Sequence, residues 1–194
     1  MILVKIDSNS ETDAKDAVRK LQDQHNITHL DVVIANAGHK NYFSPVRAVT
    51  MAEMRQVLEV NSYAPIILFQ AVLPLLEKSS KPIFATMGSM MGTIGAMEQR
   101  PFACTSYGVS KAALNWITRK VHCEHENIIA FVLDPGYVTL RVRERAFTDV
   151  CNRIRFVQTD MGNEGARLIG LEKAYITVDE CVEGLVKGVG FLKI

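Results

Sequence analysis

The chain has 194 residues, of which 48% are apolar, and its 22 basic and 21 acidic residues nearly balance. This size and composition predict one globular domain over residues 1–194 with a substantial core. The charge balance provides no field that would attract nucleic acid or an anionic membrane, no stretch approaches a membrane span, and the brief apolar start is not typical of a signal peptide. We therefore expect a cytoplasmic protein. The cysteines are scattered without a Cys-x-x-Cys pair, which favours reduced thiols over disulfides or a zinc site; they are Cys104, Cys123, Cys151 and Cys181.

The first segments predict strand, helix and strand. The apolar run Ile2–Ile6 is typical of a buried strand, and Asp7–Ser10 supplies loop and N-cap residues before an amphipathic helix through Leu21. A second apolar run, Leu30–Ala35, feeds a tight turn at its carboxyl end. In an open parallel sheet, ligands bind at that edge.

A capping box at Thr50–Glu53 predicts the start of a long helix that continues to Leu76. Asn61 lies inside this helix, with Pro65 four residues later. Because proline has no N–H, the carbonyl of Asn61 loses its usual partner and is left to hold a water or another donor. A kink tolerated for packing reasons explains the same residues.

The remaining elements continue the alternation of strand and helix. Strands are predicted at Pro82–Met87 and Ile128–Leu133, the second ending in a turn at Asp134, and helices at Thr105–His125 and after the capping box Thr177–Glu180. The alternation predicts an α/β fold with a parallel sheet covered on both faces.

The loop Gly88–Gly95 is rich in small residues, which allow a ligand to approach the backbone closely. Within it, the hydroxyl of Ser89 either donates to a substrate carbonyl oxygen or caps a turn.

Tyr107 and Lys111 lie four residues apart in the predicted helix, so their side chains share one face. A phenol is a poor acid near neutrality, but a nearby ammonium favours the phenolate and lowers the phenol pKa. Such a pair can transfer a proton at physiological pH. A chance pair on a solvated helix is the alternative.

His122 and His125 near the end of this helix, with Cys123 between them, suggest a metal only weakly. Two histidines without further ligands at zinc spacing are more typical of a solvated helix end, where histidine suits the helix dipole. No metal site is predicted.

These motifs together resemble the short-chain dehydrogenase/reductase family. The resemblance rests on Asn36-Ala37-Gly38, Asn61, Ser89, Tyr107-x-x-x-Lys111, Pro135-Gly136 and Thr159-Asp160-Met161-Gly162, which follow the family's order and roughly its spacing. Within the family, the continuation of the helix from Lys111 to Trp116 looks most like fungal norsolorinic acid ketoreductases and sniffer-type carbonyl reductases. The resemblance implies a Rossmann-like, doubly wound parallel sheet.

The resemblance also implies roles for residues. Tyr107 would be the general acid, Lys111 would lower its pKa and hold the nicotinamide ribose, Ser89 would polarise the carbonyl, and Asn61 would hold a water that connects Lys111 to solvent. The cofactor would be NADP, with NAD as an alternative, and the substrate a small-molecule carbonyl or alcohol. The residues implied in cofactor binding, besides Tyr107 and Lys111, are Asp7, Asn36, Ala37, Gly38, Pro135, Gly136 and Thr159.

The sequence departs from the family in two places. It does not begin with the family's strand and Gly-x-x-x-Gly-x-Gly turn, which would hold the pyrophosphate. This implies an incomplete fold without the first βαβα unit, and the last strand is also missing or incomplete. The segment 139–156 is an arginine-rich insertion, either a substrate-loop extension or the translation of an unremoved intron. The family pattern resumes cleanly at Val157, which favours the second explanation.

Two functions remain open from the sequence. One is an NAD(P)-dependent ketoreductase acting through Tyr107. The other is a catalytically silent fragment or binding protein that forms oligomers, including homo-oligomers, over its exposed sheet. Aromatic and methionine residues suit an apolar substrate pocket, although such residues are more often core; they are Tyr42, Phe43, Met90, Met91 and Met97.

Overall fold

A computed structural model describes residues 1–40, 43–99, 102–135, 163, 167, 172–174 and 176–190. The chain divides into two compact units, Met1–Val132 and Leu133–Ile194, and each is described by itself. The single domain expected over 1–194 stays a prediction. The predicted insertion at 139–156 lies outside the described residues.

The described elements alternate between helix and strand, as the sequence predicts. In the first unit they are α1 (Asp13–His25), β1 (Val32–Ala35), α2 (Met51–Leu58), α3 (Ala64–Leu76), β2 (Ile83–Met87), α4 (Thr105–Glu124) and β3 (Ile129–Leu133), whose last residue begins the second unit. Helix α5 (Val178–Gly190) belongs to the second unit. A π-helical segment, Glu59–Tyr63, joins α2 to α3, and two 3₁₀ segments, Met90–Gly92 and Ile94–Gln99, follow β2.

The described strands form one sheet in the order β1-β2-β3. Strands β1 and β2 are parallel, with Val32 opposite Ile83 and Ala35 opposite Thr86. A parallel pair needs a crossover connection, and here α2, the π segment and α3 provide it. The carboxyl ends of β1 and β2 therefore lie at the same edge of the sheet. The predicted α/β, Rossmann-like class is confirmed.

The core of the first unit lies between the sheet and three helices. Residues of α1, α3 and α4 pack with β1, β2 and β3 in one apolar cluster. At its centre, the Phe69 ring of α3 meets the Phe84 ring of β2 edge-on, with 5.0 Å between centroids. Side chains alternate along a strand, so Val32 and Ile34 point away from this cluster, and both are more than 40% exposed.

Two helix starts are capped as predicted. The Thr50 side chain accepts from the Glu53 N–H at 3.2 Å, while the Glu53 carboxylate accepts from the Thr50 N–H at 2.7 Å. Thr177 and Glu180 make the same reciprocal pair before α5. Each box satisfies backbone N–H groups that the helix itself leaves without a partner.

The stretch Met51–Leu76 corrects the expectation that no segment approaches a membrane span. Its 26 residues are long and apolar enough to cross a membrane by length and composition. Its second half contributes Phe69, Val72 and Leu75 to the core cluster. A core helix passes the same test of length and hydropathy, so the stretch is weak support for a membrane role.

The predicted buried strand Ile2–Ile6 is wrong. The segment is not assigned to a strand, and Ile2, Leu3 and Ile6 are exposed, Leu3 by 80%. A strand needs a neighbour for its backbone hydrogen bonds, and the sheet described here places none beside this segment. The apolar pattern favours burial, but burial depends on a neighbouring strand that local sequence does not reveal.

Candidate active site

Tyr107 and Lys111 lie in the first two turns of α4, on one face as predicted. Lys111 is 3% exposed, and its Nζ lies 5.6 Å from the centroid of the half-buried Tyr107 ring. An ammonium at that distance from an aromatic ring is attracted by the ring's quadrupole. The close approach and the burial of Lys111 argue against a chance pair on a solvated helix.

The ammonium of Lys111 lies where the two parallel strands end. Its Nζ donates to the carbonyl of Met87, the last residue of β2, at 2.6 Å. It also lies 3.8 Å from the position that a Cβ on Gly38 would occupy, beyond the end of β1. A buried charge needs hydrogen-bond partners, and the Met87 carbonyl supplies one. The sheet edge and α4 therefore converge on Lys111.

Asn61 is fully buried in the π-helical segment between α2 and α3. There the N–H of Ala64 bonds the carbonyl of Glu59, five residues back, in place of the usual four. Pro65 explains the altered winding, because its ring would clash with the carbonyl of Asn61 in a regular helix. Such π segments are frequent at functional sites.

The amide of Asn61 connects the loop after β1 to α4. Its Oδ1 accepts from the N–H of His39 at 2.7 Å, and its Nδ2 donates to the His39 carbonyl at 2.7 Å and to Ser110 Oγ at 2.9 Å. Ser110 Oγ in turn donates to the carbonyl of Tyr107 at 2.8 Å. The sequence singled out Asn61 for its backbone carbonyl, whereas the structure shows that its side chain holds two parts of the site together.

Three residues of this network were missed from the sequence: His39, Ser62 and Ser110. Ser62 Oγ donates to the carbonyl of Ser110 at 3.0 Å, and both serines are fully buried. His39 takes part through its backbone, which gives no sequence signal. Ser110 did give one, because a polar residue three positions after Tyr107 falls on the same buried side of the helix.

Ser89 follows β2 and begins the 3₁₀ segment Met90–Gly92. Its Oγ accepts from the N–H of Met91 at 3.2 Å, so it caps the turn, one of the two roles considered. Accepting a hydrogen bond leaves the hydroxyl's own proton able to donate. The turn and α4 contact each other closely through Gly92, which lies against the backbone of Lys111 and Ala112. The turn that Ser89 begins thus lies against α4 at Lys111 and Ala112.

The residues implied in holding the adenosine part of a cofactor lie together. Asp7 and Asn36, with Ala37, line a cavity of about 230 Å³ beside β1. Asp7, Ala37 and Gly38 line a second cavity of about 540 Å³ together with Gln56 and Val60. The Asp7 carboxylate accepts from the N–H of Asn9 at 2.9 Å, which fixes the turn after Ile6. The segment that failed to form a strand thus still contributes to both cavities.

The other implied cofactor residues belong to the second unit or lie outside the described residues. Pro135 is half-buried in the second unit, and Gly136 and Thr159 lie outside the described residues, as do Tyr42 and Cys151. Met97 is 60% exposed. The roles assigned to all these residues stay predictions.

No group of three or more metal-ligating side chains occurs among the described residues. His122 Nδ1 lies 3.3 Å from the carbonyl of Ile128, so this ring contacts the start of β3.

Closer to Tyr107, burial raises the pKa of the Cys104 thiol above its ordinary value, which keeps the thiol neutral.

Comparison with known proteins decides the family. The family model described as short chain dehydrogenase matches residues 1–150. The chain belongs to the short-chain dehydrogenase/reductase family. The norsolorinic acid ketoreductase of Aspergillus parasiticus is 40% identical over 187 residues, an alignment that covers 95% of this chain and 62% of that protein. The chain thus spans less than two thirds of this relative's length.

Solved structures of the family have the same fold. NADPH-bound carbonyl reductase from chicken fatty liver superposes with a TM-score of 0.77 at 28% identity, covering 98% of this chain and 70% of that one. Carbonyl reductase Sniffer of Drosophila melanogaster gives the same TM-score, 0.77, at 23% identity, covering 97% of this chain and 70% of that one. The predicted resemblance to ketoreductases and sniffer-type reductases is confirmed.

Proposed function

We propose that this protein is an NADP(H)-dependent carbonyl reductase in which Tyr107 is the general acid. The single observation that carries the proposal is the buried Lys111 ammonium beside the Tyr107 ring, at the edge where β1 and β2 end. The name of the Aspergillus relative supports a ketone substrate, and the chicken structure with bound NADPH supports the cofactor. NAD stays the alternative.

The described residues fit the adenosine part of a dinucleotide. Asp7 and Asn36–Gly38 would hold it in the two cavities beside β1. Gly38 lies close to the catalytic residues, because a Cβ there would be in ordinary van der Waals contact with Asn61 Oδ1 and Lys111 Nζ, at 3.7 and 3.8 Å. The pattern Gly-x-x-x-Gly-x-Gly occurs only at residues 184–190, inside helix α5, and not in a turn that follows a strand, so Asp7 and Asn36–Gly38 would hold only part of the cofactor.

The bound nicotinamide supplies the hydride that reduces the carbonyl carbon. The residues of this chain donate the proton and stabilise the charges that its transfer creates. As the carbonyl oxygen gains charge, Tyr107 transfers its phenolic proton to that oxygen, which gives the alcohol and leaves a phenolate. Lys111 stabilises the phenolate, because a nearby cation favours the charged form. Ser89 donates a hydrogen bond to the same oxygen and disperses the charge that develops on it.

Asn61 contributes by holding the site in shape. Its amide fixes the loop at His39 against α4. Pro65 has no N–H, so it cannot be the partner that the Asn61 carbonyl would have in a regular α-helix. A carbonyl without an N–H partner from the helix is able to bind a water. Such a water would carry the proton that returns to Tyr107 after each turnover.

The test is steady-state oxidation of NADPH by the protein with an aromatic ketone. We expect Tyr107→Phe to lower kcat by about 10²–10⁴-fold, the usual contribution of a positioned general acid. Tyr63→Phe is the matched control, since Tyr63 lies on the π segment and is 46% exposed. Its kcat should stay close to that of the parent protein. Equal kcat values for the two variants would exclude Tyr107 as the acid.

A second candidate function rests on the edge of β1. Among the described strands β1 pairs on one side only, and Val32 and Ile34 are more than 40% exposed. An exposed apolar edge of this kind favours pairing with another chain. A binding or oligomerising protein would form assemblies in sedimentation experiments and show no NADPH oxidation. An active monomer would exclude it.

A further inference from the structure

The 3₁₀ turn after Ser89 is seated directly on the backbone of α4. A Cβ added to Gly92 would lie 2.6 Å from the carbonyl carbon of Lys111, 2.8 Å from the nitrogen of Ala112 and 2.9 Å from Lys111 Cβ. Real Cβ atoms essentially never approach other heavy atoms closer than 3.0 Å. The first two of these atoms belong to the helix backbone and cannot swing aside. Only glycine allows this approach.

Two further contacts lie along the same side of α4. The carbonyl of Met91 would be 3.1 Å from a Cβ on Gly108, one turn before Lys111. One turn after Lys111, Asn115 Nδ2 donates to the carbonyl of Gly92 at 3.5 Å. The turn is thus in contact with three successive turns of the helix that carries Tyr107.

The turn is also fixed internally to Ser89. The N–H of Gly92 donates to the Ser89 carbonyl at 3.0 Å, and the N–H of Met91 donates to Ser89 Oγ at 3.2 Å. A shift of Gly92 away from α4 would therefore carry Ser89 with it. Neither Gly92 nor Gly108 has a backbone φ in the left-handed region, so alanine is disfavoured at these positions by space alone.

We propose that Gly92 is a positioning residue for catalysis: its missing side chain seats the turn on α4 and so sets the place of the Ser89 hydroxyl relative to Tyr107 and Lys111. Gly108 has the same role to a smaller degree. The inference rests on the proposed function, because Ser89 matters only if a carbonyl oxygen is bound there. The sequence suggests that glycine in this loop allows a ligand to approach the backbone. The structure shows that Gly92 allows the backbone of α4 to approach.

The size of the effect follows from the distances. To reach ordinary contact at 3.4–4 Å from a starting value of 2.6 Å, the Cβ that Gly92→Ala introduces has to move by 0.8–1.4 Å. A misplacement of about 1 Å in a catalytic site can cost on the order of 10²-fold in rate. We therefore expect Gly92→Ala to lower kcat about 100-fold and to leave the KM for NADPH nearly unchanged.

Three glycine-to-alanine variants of the protein test this, with NADPH and an aromatic ketone. Gly95→Ala is the matched control, because a Cβ at Gly95 meets nothing within 4 Å and lies in the same loop. Gly108→Ala, at 3.1 Å, should fall between the other two. The expected order of kcat is therefore Gly95→Ala, then Gly108→Ala, then Gly92→Ala. Equal kcat for Gly92→Ala and Gly95→Ala would overturn the proposal.

A second comparison separates positioning from general damage. In a Ser89→Ala background, Gly92→Ala has no hydroxyl left to misplace, so its further effect on kcat should nearly vanish. If the two losses multiply instead, Gly92 does not act through Ser89 and the proposal is overturned. This comparison is unaffected by a uniform loss of folded protein, provided that kcat is referred to the fraction that binds NADPH.

Hydrogen exchange distinguishes this proposal from the proposed function. The amides of Gly92 and Thr93 donate within the turn, to Ser89 and Met90. Faster exchange at Thr93 in Gly92→Ala, but not in Gly95→Ala, would support the contact of the turn with α4. If the parent protein then reduces no ketone, the proposed function alone fails. Unchanged exchange would overturn the seating.

Discussion

Replacing Asn61 with alanine should destabilise the protein more than truncating Asn115, a half-buried residue of α4. The change removes three hydrogen bonds, two to the backbone of His39 and one to Ser110 Oγ. Each is worth about 1 kcal/mol net, so the free energy of unfolding should fall by roughly 3 kcal/mol. The lost partners are 22 and 49 residues away in sequence, so the loss also separates the loop after β1 from α4.

Asn115→Ala is the matched control for this prediction. Asn115 makes one long bond, 3.5 Å from Nδ2 to the Gly92 carbonyl, and its buried Oδ1 has no hydrogen-bond partner among the described residues. Its truncation should cost less than about 1 kcal/mol. Urea unfolding with linear extrapolation gives both values. Equal losses for the two variants would refute the assignment of Asn61 as the residue that joins the loop to the helix.

Local exchange gives a second measure of the same change. The N–H of His39 donates to Asn61 Oδ1 at 2.7 Å, and this bond should protect the amide from exchange. In Asn61→Ala, exchange at His39 should become faster, while Asn115→Ala should leave it as in the parent protein. Slow exchange at His39 in Asn61→Ala would show that the loop is held by other contacts.

Two further predictions concern hydroxyl groups. Thr118 Oγ1 donates to the Leu114 carbonyl and accepts from Thr86 Oγ1, both at 2.8 Å, and both threonines are buried. Thr118→Val leaves the Thr86 hydroxyl without this partner, so the free energy of unfolding in urea should fall by about 1–3 kcal/mol. Adding Thr86→Val should recover part of that loss, whereas additive losses would contradict the pairing. Hydrogen bonds from the Thr50 backbone and side chain hold the pKa of Glu53 below its ordinary value; Thr50→Ala should raise it part of the way back in an NMR titration, and an unchanged pKa would contradict the capping box. Because the pKa of Glu53 is lowered in the folded state, its contribution to stability is present above the ordinary carboxyl pKa and is lost as the pH falls through the lowered value.

Local sequence predicted most elements of the first unit and the pairing inside α4. Tyr107 and Lys111 were placed correctly because side chains four apart share a helix face whatever surrounds them. Pro65 indicated an irregular helix at Asn61 for an equally local reason, the absent N–H, although the form it takes, a π segment, depends on packing. The capping boxes at Thr50 and Thr177 are local as well.

Features that depend on distant partners were not predicted. Ile2–Ile6 has the composition of a strand but lacks a neighbouring strand in the described sheet. The contacts of Asn61 with His39 and Ser110 cross 22 and 49 residues, and no local pattern encodes them. Gly92 was recognised as a small loop residue, but its contact with the backbone of Lys111 follows only from how the turn and α4 meet.

Isotope labelling of the transferred hydride tests the role of Tyr107 and Lys111 most directly. The protein is incubated with an aromatic ketone and NADPH that carries deuterium on the reactive face of the nicotinamide, and the alcohol product is analysed by mass spectrometry. Transfer of one deuteride to the carbonyl carbon, together with its loss in Tyr107→Phe, is the result expected if Tyr107 and Lys111 form the proton-transfer part of the site. Absence of deuterium from the product of the parent protein, or undiminished transfer by Tyr107→Phe, would contradict the account.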